Sequence, residues 1–151
     1  MEVFEHQETG LKENRVELYY NKKDQEILGI LDYIDGWQQI IGKDGIETIV
    51  ITPEEIYYFE AVEKKCFAYL EEQVYQVAYT LQQIEAKLGR LGFARINKSM
   101  IVNLRKVKRL KAGLNMRMTA ELFNGEQLMI NRAYKVLVSG AIKELYRGIQ
   151  R

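Results

Sequence analysis

The chain has 151 residues, with 22 Lys/Arg against 21 Asp/Glu and 47% hydrophobic side chains, which is enough to bury one core and too little for two ordinary domains. No apolar run reaches the roughly 18 to 20 residues of a membrane span, and the acidic start Met1-Glu2-Val3-Phe4-Glu5 is unlike a signal peptide, so a soluble, cytoplasmic protein is expected. A single cysteine, Cys66, and a single histidine, His6, exclude an internal disulfide and leave too little for a zinc site or a nucleophile–base pair, so no metal or other cofactor is expected.

Residues 15–20 place Val16, Leu18 and Tyr20 on one face at period 2 and predict a strand; Asp24 then precedes Ile27, Leu28, Leu31 and Ile34 at helical spacing. Gly42-Lys43-Asp44-Gly45 separates the apolar stretches 37–41 and 46–51, and Asp-Gly predicts a tight hairpin that ends before Pro53. Residues 56–60 and 66–70 read as strands joined by the polar turn Val62-Glu63-Lys64-Lys65, with a third strand over 74–79. Thr80 and Gln83 form a capping box for a helix that buries Leu81, Ile84 and Leu88 and stops at Gly89 in the left-handed conformation. Asn124-Gly125 joins 114–123 to 126–130 as a second tight hairpin. Asn131 caps a closing helix striped by Tyr134, Leu137, Val138, Ala141, Ile142 and Leu145. Segment 99–111 is ambiguous: Met100, Ile101, Leu104, Val107 and Leu110 fit a basic amphipathic helix, and Ile101-Val102 and Val107 also suit strands, with the pattern leaning helical.

The neutral total hides a polarity. Residues 1–90 hold 9 Lys/Arg against 18 Asp/Glu, whereas residues 91–151 hold 13 against 3. Arg95, Lys98, Arg105, Lys106, Lys108, Arg109, Lys111 and Arg117 follow one another without an intervening acid, a footprint suited to a polyanion. The plainer explanation is a solvated basic surface balanced by contacts with the acidic half, although ordinary surfaces mix the two signs.

The run Phe93-Ala94-Arg95-Ile96-Asn97-Lys98-Ser99-Met100-Ile101-Val102-Asn103-Leu104 resembles the LytTR (LytR/AlgR-type) DNA-binding domain family. The likeness continues in order through Ile56–Ala61, the Thr80–Leu88 helix, Asn124–Leu128 and Ile130–Tyr134, and covers roughly residues 45–147. It implies a mostly β fold with short helices (α+β), an elongated antiparallel β-structure in which 101–110 is strand with a helical turn. The implied division is a strand–helix extension, residues 1–45, used for regulation or dimerisation, and a DNA-binding domain, residues 46–151. The stretch before the match is too short for a receiver domain, so a stand-alone regulator is expected.

Family members bind DNA through loops that enter successive major grooves. By the resemblance, the turn of Lys64 and Lys65 looks like the first contact loop, Lys98 occupies the position of a contacting polar residue and Arg132 matches the arginine at the junction. Asn97, Ser99 and Asn131 are further candidates, Ser99 being equally explained by a turn-stabilising role, and Arg95, Arg105, Lys106, Lys108 and Arg109 are candidate backbone contacts. The chemistry agrees: arginine's donor fork suits guanine or phosphate, asparagine can pair with adenine, and lysine neutralises phosphate. Implied partners are double-stranded DNA with paired direct repeats, a second copy in a homodimer, and a membrane-protein inhibitor such as some stand-alone members have. Where family members often carry histidine or another neutral polar group, this chain has Lys65, Cys66 and Asn97.

Other readings carry less. Cys66 lies in an apolar strand and is expected to be a buried thiol rather than a redox sensor. Glu54-Glu55 and Glu71-Glu72 lack a nucleophile or phosphate-binding glycine loop, so an enzyme is not expected. Tyr19, Tyr20, Tyr33 and Trp37 are expected to divide between core and a dimer surface. The alternative function is a basic interaction module for an acidic protein or an anionic membrane surface.

Overall fold

A computed structural model describes residues 1–12, 14–36 and 39–147. The chain divides into two units, Met1–Ile34 and Asp35–Arg151.

Helix α1 spans Gln25–Gly36 and begins in the first unit, its start fixed by Asp24, whose Oδ1 accepts from the Ile27 amide at 3.2 Å. The strand expected over 15–20 does not form: the segment has no regular structure, and Val16 and Tyr19 are 77% and 89% exposed. Alternating residues make a strand only where a ladder partner takes up their amides and carbonyls. Tyr20 is exposed as well, while Trp37 and the Tyr33 side chain lie outside the described residues.

The second unit is built on a seven-stranded antiparallel sheet in the order β2-β1-β5-β4-β3-β7-β6, formed by β1 (Ile40–Asp44), β2 (Glu47–Ile51), β3 (Tyr58–Val62), β4 (Lys65–Tyr69), β5 (Val74–Val77), β6 (Phe93–Asn97) and β7 (Met100–Asn103). Strand β1 thus belongs to this sheet, and the unit begins at Asp35, so the boundary lies about ten residues before the residue 45/46 division expected from sequence. A second sheet, β10-β9-β8, comprises β8 (Val107–Ala112), β9 (Met118–Leu122) and β10 (Gln127–Ile130).

Side chains alternate across the large sheet and build a core on each face. One face packs Phe59, Cys66, Ala68, Val77, Phe93 and Ile101 under helix α2 (Leu81–Leu88), which contributes Leu81, Ile84 and Leu88. The other packs Tyr58, Ala94, Ile96 and Val102 against Ala120, Leu122, Leu128 and Ile130 of the small sheet and Val138 of helix α3 (Lys135–Leu145). The fold is mostly antiparallel β with three helices, and the large sheet is open. Segment 100–112 is strand, 3-10 turn and strand, as the family likeness implied and against the helical lean of its periodicity.

Three local details differ from expectation. Gly89 is right-handed (φ −55°); α2 tightens into a 3-10 turn over Gly89–Leu91, and Gly92, at φ +90°, makes the left-handed reversal. The Asn124-Gly125 connection is wider than a two-residue turn, because the Leu122 amide reaches the Glu126 carbonyl at 2.8 Å and the Gly125 amide returns to the Leu122 carbonyl at 3.0 Å. Asn131 caps a 3-10 turn, Arg132–Tyr134, that leads into α3, and Leu137 is 58% exposed because Val138 centres the buried stripe.

Candidate nucleic-acid interface

Three connections converge on one edge of the second unit. The β3–β4 turn has Glu63 and Lys64 at its tip with φ of +50° and +67°, the paired left-handed geometry that closes a two-residue hairpin against sheet twist. Strand β3 pairs antiparallel with β7, Glu60 opposite Met100, and the Ala61 amide donates to the Ser99 carbonyl at 2.8 Å, which ties this turn to the β6–β7 turn of Lys98 and Ser99. The Asn131 amide donates to the Ile96 carbonyl at 2.8 Å, which brings the junction of β10 and the closing helix to the same edge. Lys64, Lys65, Lys98 and Arg132 are exposed here and form no ion pair among the described residues.

The junction is fixed by a bulge. The β6–β7 register passes from Arg95 opposite Ile101 to Asn97 opposite Met100, leaving Ile96 without a partner residue. Its side chain fills the core while its carbonyl holds Asn131.

The polar candidates at this edge are committed to shaping it. Asn97 Oδ1 accepts from the Ser99 amide at 2.9 Å and its hydroxyl at 3.1 Å, bending the chain so that Lys98 stands at the tip. Asn131 Oδ1 accepts from the Ala133 amide at 3.0 Å. Arg95 donates from Nε to Glu85 of α2 and from a terminal nitrogen to the Lys98 carbonyl at 3.0 Å.

The remaining cations do not join this cluster. Arg105 and Lys106 lie beyond the other end of β7, roughly 13 Å of strand away at about 3.3 Å per residue. Lys106 Nζ stands 5.0 Å from the Tyr57 ring centroid, in an open groove of about 450 Å³ also lined by Glu54, Glu55, Glu71 and Glu72, a setting poorly suited to phosphate. Arg109 and Lys111 converge on Glu121 of β9 at 2.8 and 3.3 Å. Lys108 is exposed at a β8 bulge. The run that lacks acids in sequence therefore meets acids across strand and helix contacts.

Two residues escaped the sequence reading of the site. Arg117 precedes Met118, which pairs with Ile130, so the register sets this exposed cation beside Asn131; its place in the basic run was the only signal. Glu85 is ten positions from Arg95, a spacing that carries no meaning until helix and sheet pack.

No metal-ligating group of three or more His, Cys, Asp or Glu side chains occurs among the described residues, and no helix among them is long and apolar enough to cross a membrane. Cys66 is buried among apolar side chains, and desolvation raises its pKa to about 11, which suits packing rather than thiol chemistry.

The antiparallel β framework gathers basic turn tips on one edge of the second unit. The family profile of the LytTr DNA-binding domain matches residues 47–143. The chain belongs to this family, whose domains are DNA-binding regulators rather than enzymes. It is 30% identical over 95 residues to the sensory transduction protein LytT of Enterococcus faecalis, covering 63% of this chain and 38% of that protein. It is 34% identical over 70 residues to the transcriptional regulatory protein YpdB of Escherichia coli K12, covering 46% and 29%. The chain thus spans well under half the length of these curated relatives. A solved LytTr DNA-binding domain from Bacillus cereus superposes with a TM-score of 0.65 at 24% identity, covering 69% of this chain and 95% of that one, and shares the fold.

Proposed function

We propose that this chain is a sequence-specific transcriptional regulator of the cytoplasm that reads duplex DNA with three turns inserted into major grooves. The observation that carries this reading is the convergence of Lys64–Lys65, Lys98 and Arg132 on one edge, held by the Ala61–Ser99 and Asn131–Ile96 backbone hydrogen bonds. Arg132, with its two-pronged donor fork, is the base reader. Lys64, Lys65 and Lys98 neutralise phosphates, Arg117 joins them from β9, and Asn97, Ser99 and Asn131 hold the tips in shape. Arg105 and Lys108 add longer-range attraction. Two copies occupy paired direct repeats, and the N-terminal extension serves pairing or regulation, including by a membrane-protein inhibitor.

The test begins with selection of duplexes from a random pool by the wild-type protein, followed by fluorescence anisotropy on the enriched and a shuffled duplex at several salt concentrations. The enriched duplex is expected to bind some 10³-fold more tightly. Arg132→Ala is expected to cost roughly 1 to 3 kcal/mol on it and to relax its preference, while Lys108→Ala weakens all duplexes alike and flattens the salt slope by at most about one. No enrichment, with binding that vanishes in salt, favours the basic interaction module instead.

A further inference from the structure

We infer that Arg95 is a positioning residue: anchored on Glu85 of α2, its guanidinium holds the Lys98 carbonyl and so fixes the turn that presents Lys98 to DNA. The inference rests on the DNA-reading role proposed for that turn. Strand parity is its origin. Phe93 packs on the α2 face of the large sheet and Ala94 on the opposite face, so Arg95 returns to the α2 side, where it meets Glu85. Ile96, displaced by the bulge, falls back into the other core, so Arg95 is the last side chain on the α2 face before the turn.

The guanidinium is suited to this bridge. Its planar fork gives one nitrogen to a carboxylate and another to a carbonyl, which a lysine ammonium cannot do in the same fixed geometry. The side chain is 21% exposed and already bound on both sides, whereas Lys98 beside it is exposed and without an ion pair among the described residues. Nε on Glu85 and one terminal nitrogen on the Lys98 carbonyl hold the guanidinium between helix and turn. The helix thereby supports the turn: α2 sets Glu85, Glu85 sets Arg95, and Arg95 sets Lys98.

The test uses the full chain carrying Glu85→Gln, Arg95→Gln, Arg95→Lys or the Glu85→Gln/Arg95→Gln pair, with Lys98→Gln as the direct-contact comparison. Anisotropy on the enriched duplex is combined with amide hydrogen exchange of Ser99 in the free protein. Each clamp variant is expected to lose affinity for the enriched duplex by about tenfold. The salt slope is expected to flatten alike, by at most about 0.9, in Glu85→Gln, Arg95→Gln and Lys98→Gln, the double variant to be no worse than either single one, and Ser99 exchange to quicken. Glu85→Gln is decisive, because removing an acid should tighten binding to a polyanion if charge alone mattered. Glu85 lies on an exposed part of α2, so the variant retains the fold. Unchanged or tighter binding by Glu85→Gln with unchanged Ser99 exchange, or a slope flattened by about 0.9 in Arg95→Gln but not in Glu85→Gln, overturns the inference. If Lys98→Gln binds like wild type, the DNA-reading role of the turn fails, and Ser99 exchange still decides whether the clamp exists.

Discussion

Burial of Cys66 has a thermodynamic consequence that a strand thiol at the surface would lack. Its pKa rises from an ordinary 9.0 to about 11 because desolvation penalises the thiolate. The folded chain therefore keeps a proton that the unfolded chain releases above about pH 9, and stability falls as pH rises between the two values. Burial also raises Tyr57, Tyr58 and Tyr69, which adds the same sign above their ordinary 10.0. Urea unfolding is expected to show lower stability near pH 10.5 than near pH 8. Cys66→Ala should remove the thiol's share of that dependence and keep the tyrosines'; an identical pH dependence in the variant would show that Cys66 is not desolvated. Burial of this thiol was legible from its alternating apolar neighbours. Arg95 was not legible, since a sequence displays a cation without displaying the carboxylate that a helix will bring to it.

Among the elements, helix α2 formed where its local chemical signal placed it, whereas the Gly89 stop and the Asn124-Gly125 turn took other geometries. The Thr80–Gln83 capping box is present, the Thr80 amide donating to Gln83 Oε1 at 2.9 Å and the Gln83 amide to Thr80 Oγ1 at 3.2 Å. Segments whose state depends on distant partners did not declare themselves: 15–20 lacks a ladder, and 100–112 gains three, with β3 and β6 on one side of its 3-10 turn and with β9 on the other. The β3–β4 turn sets shape against stability. Asn-Gly suits paired left-handed positions, yet Glu63 and Lys64 occupy them at a conformational cost of about 1 kcal/mol or more each. The Glu63→Asn/Lys64→Gly double variant is expected to raise stability by roughly 1 kcal/mol while weakening DNA binding. Chemical denaturation and anisotropy on the enriched duplex check both directions, and binding as tight as wild type would remove Lys64 from the interface.

For the whole molecule, the division into an acidic and a basic half was a property of the string more than of the surface. Glu85 reaches Arg95 from the acidic half, and Glu121, one of the few acids after residue 90, neutralises Arg109 and Lys111 together. Lys64, Lys65, Lys98 and Arg132 at the converging turns form no ion pair among the described residues, and charge counting alone does not set them apart from Arg109 and Lys111. Glu121→Gln is therefore expected to free Arg109 and Lys111, tighten binding to shuffled duplex severalfold and steepen the salt slope by about one to two, which titrations at several ionic strengths measure. Unaltered binding to shuffled duplex would mean that β8 faces away from DNA.

The β3–β4 and β6–β7 turns are only two residues long at their tips, and β3 and β7 are locked side by side by their register. Neither tip has slack to lengthen, and slipping β7 by one residue would move its turn by about 3.3 Å and exchange the two cores. New sequence preferences in this lineage are accordingly open to side-chain replacement at fixed positions and closed to insertion or deletion, so alignments of its relatives should be gapless across both tips even where the residues at the tips differ.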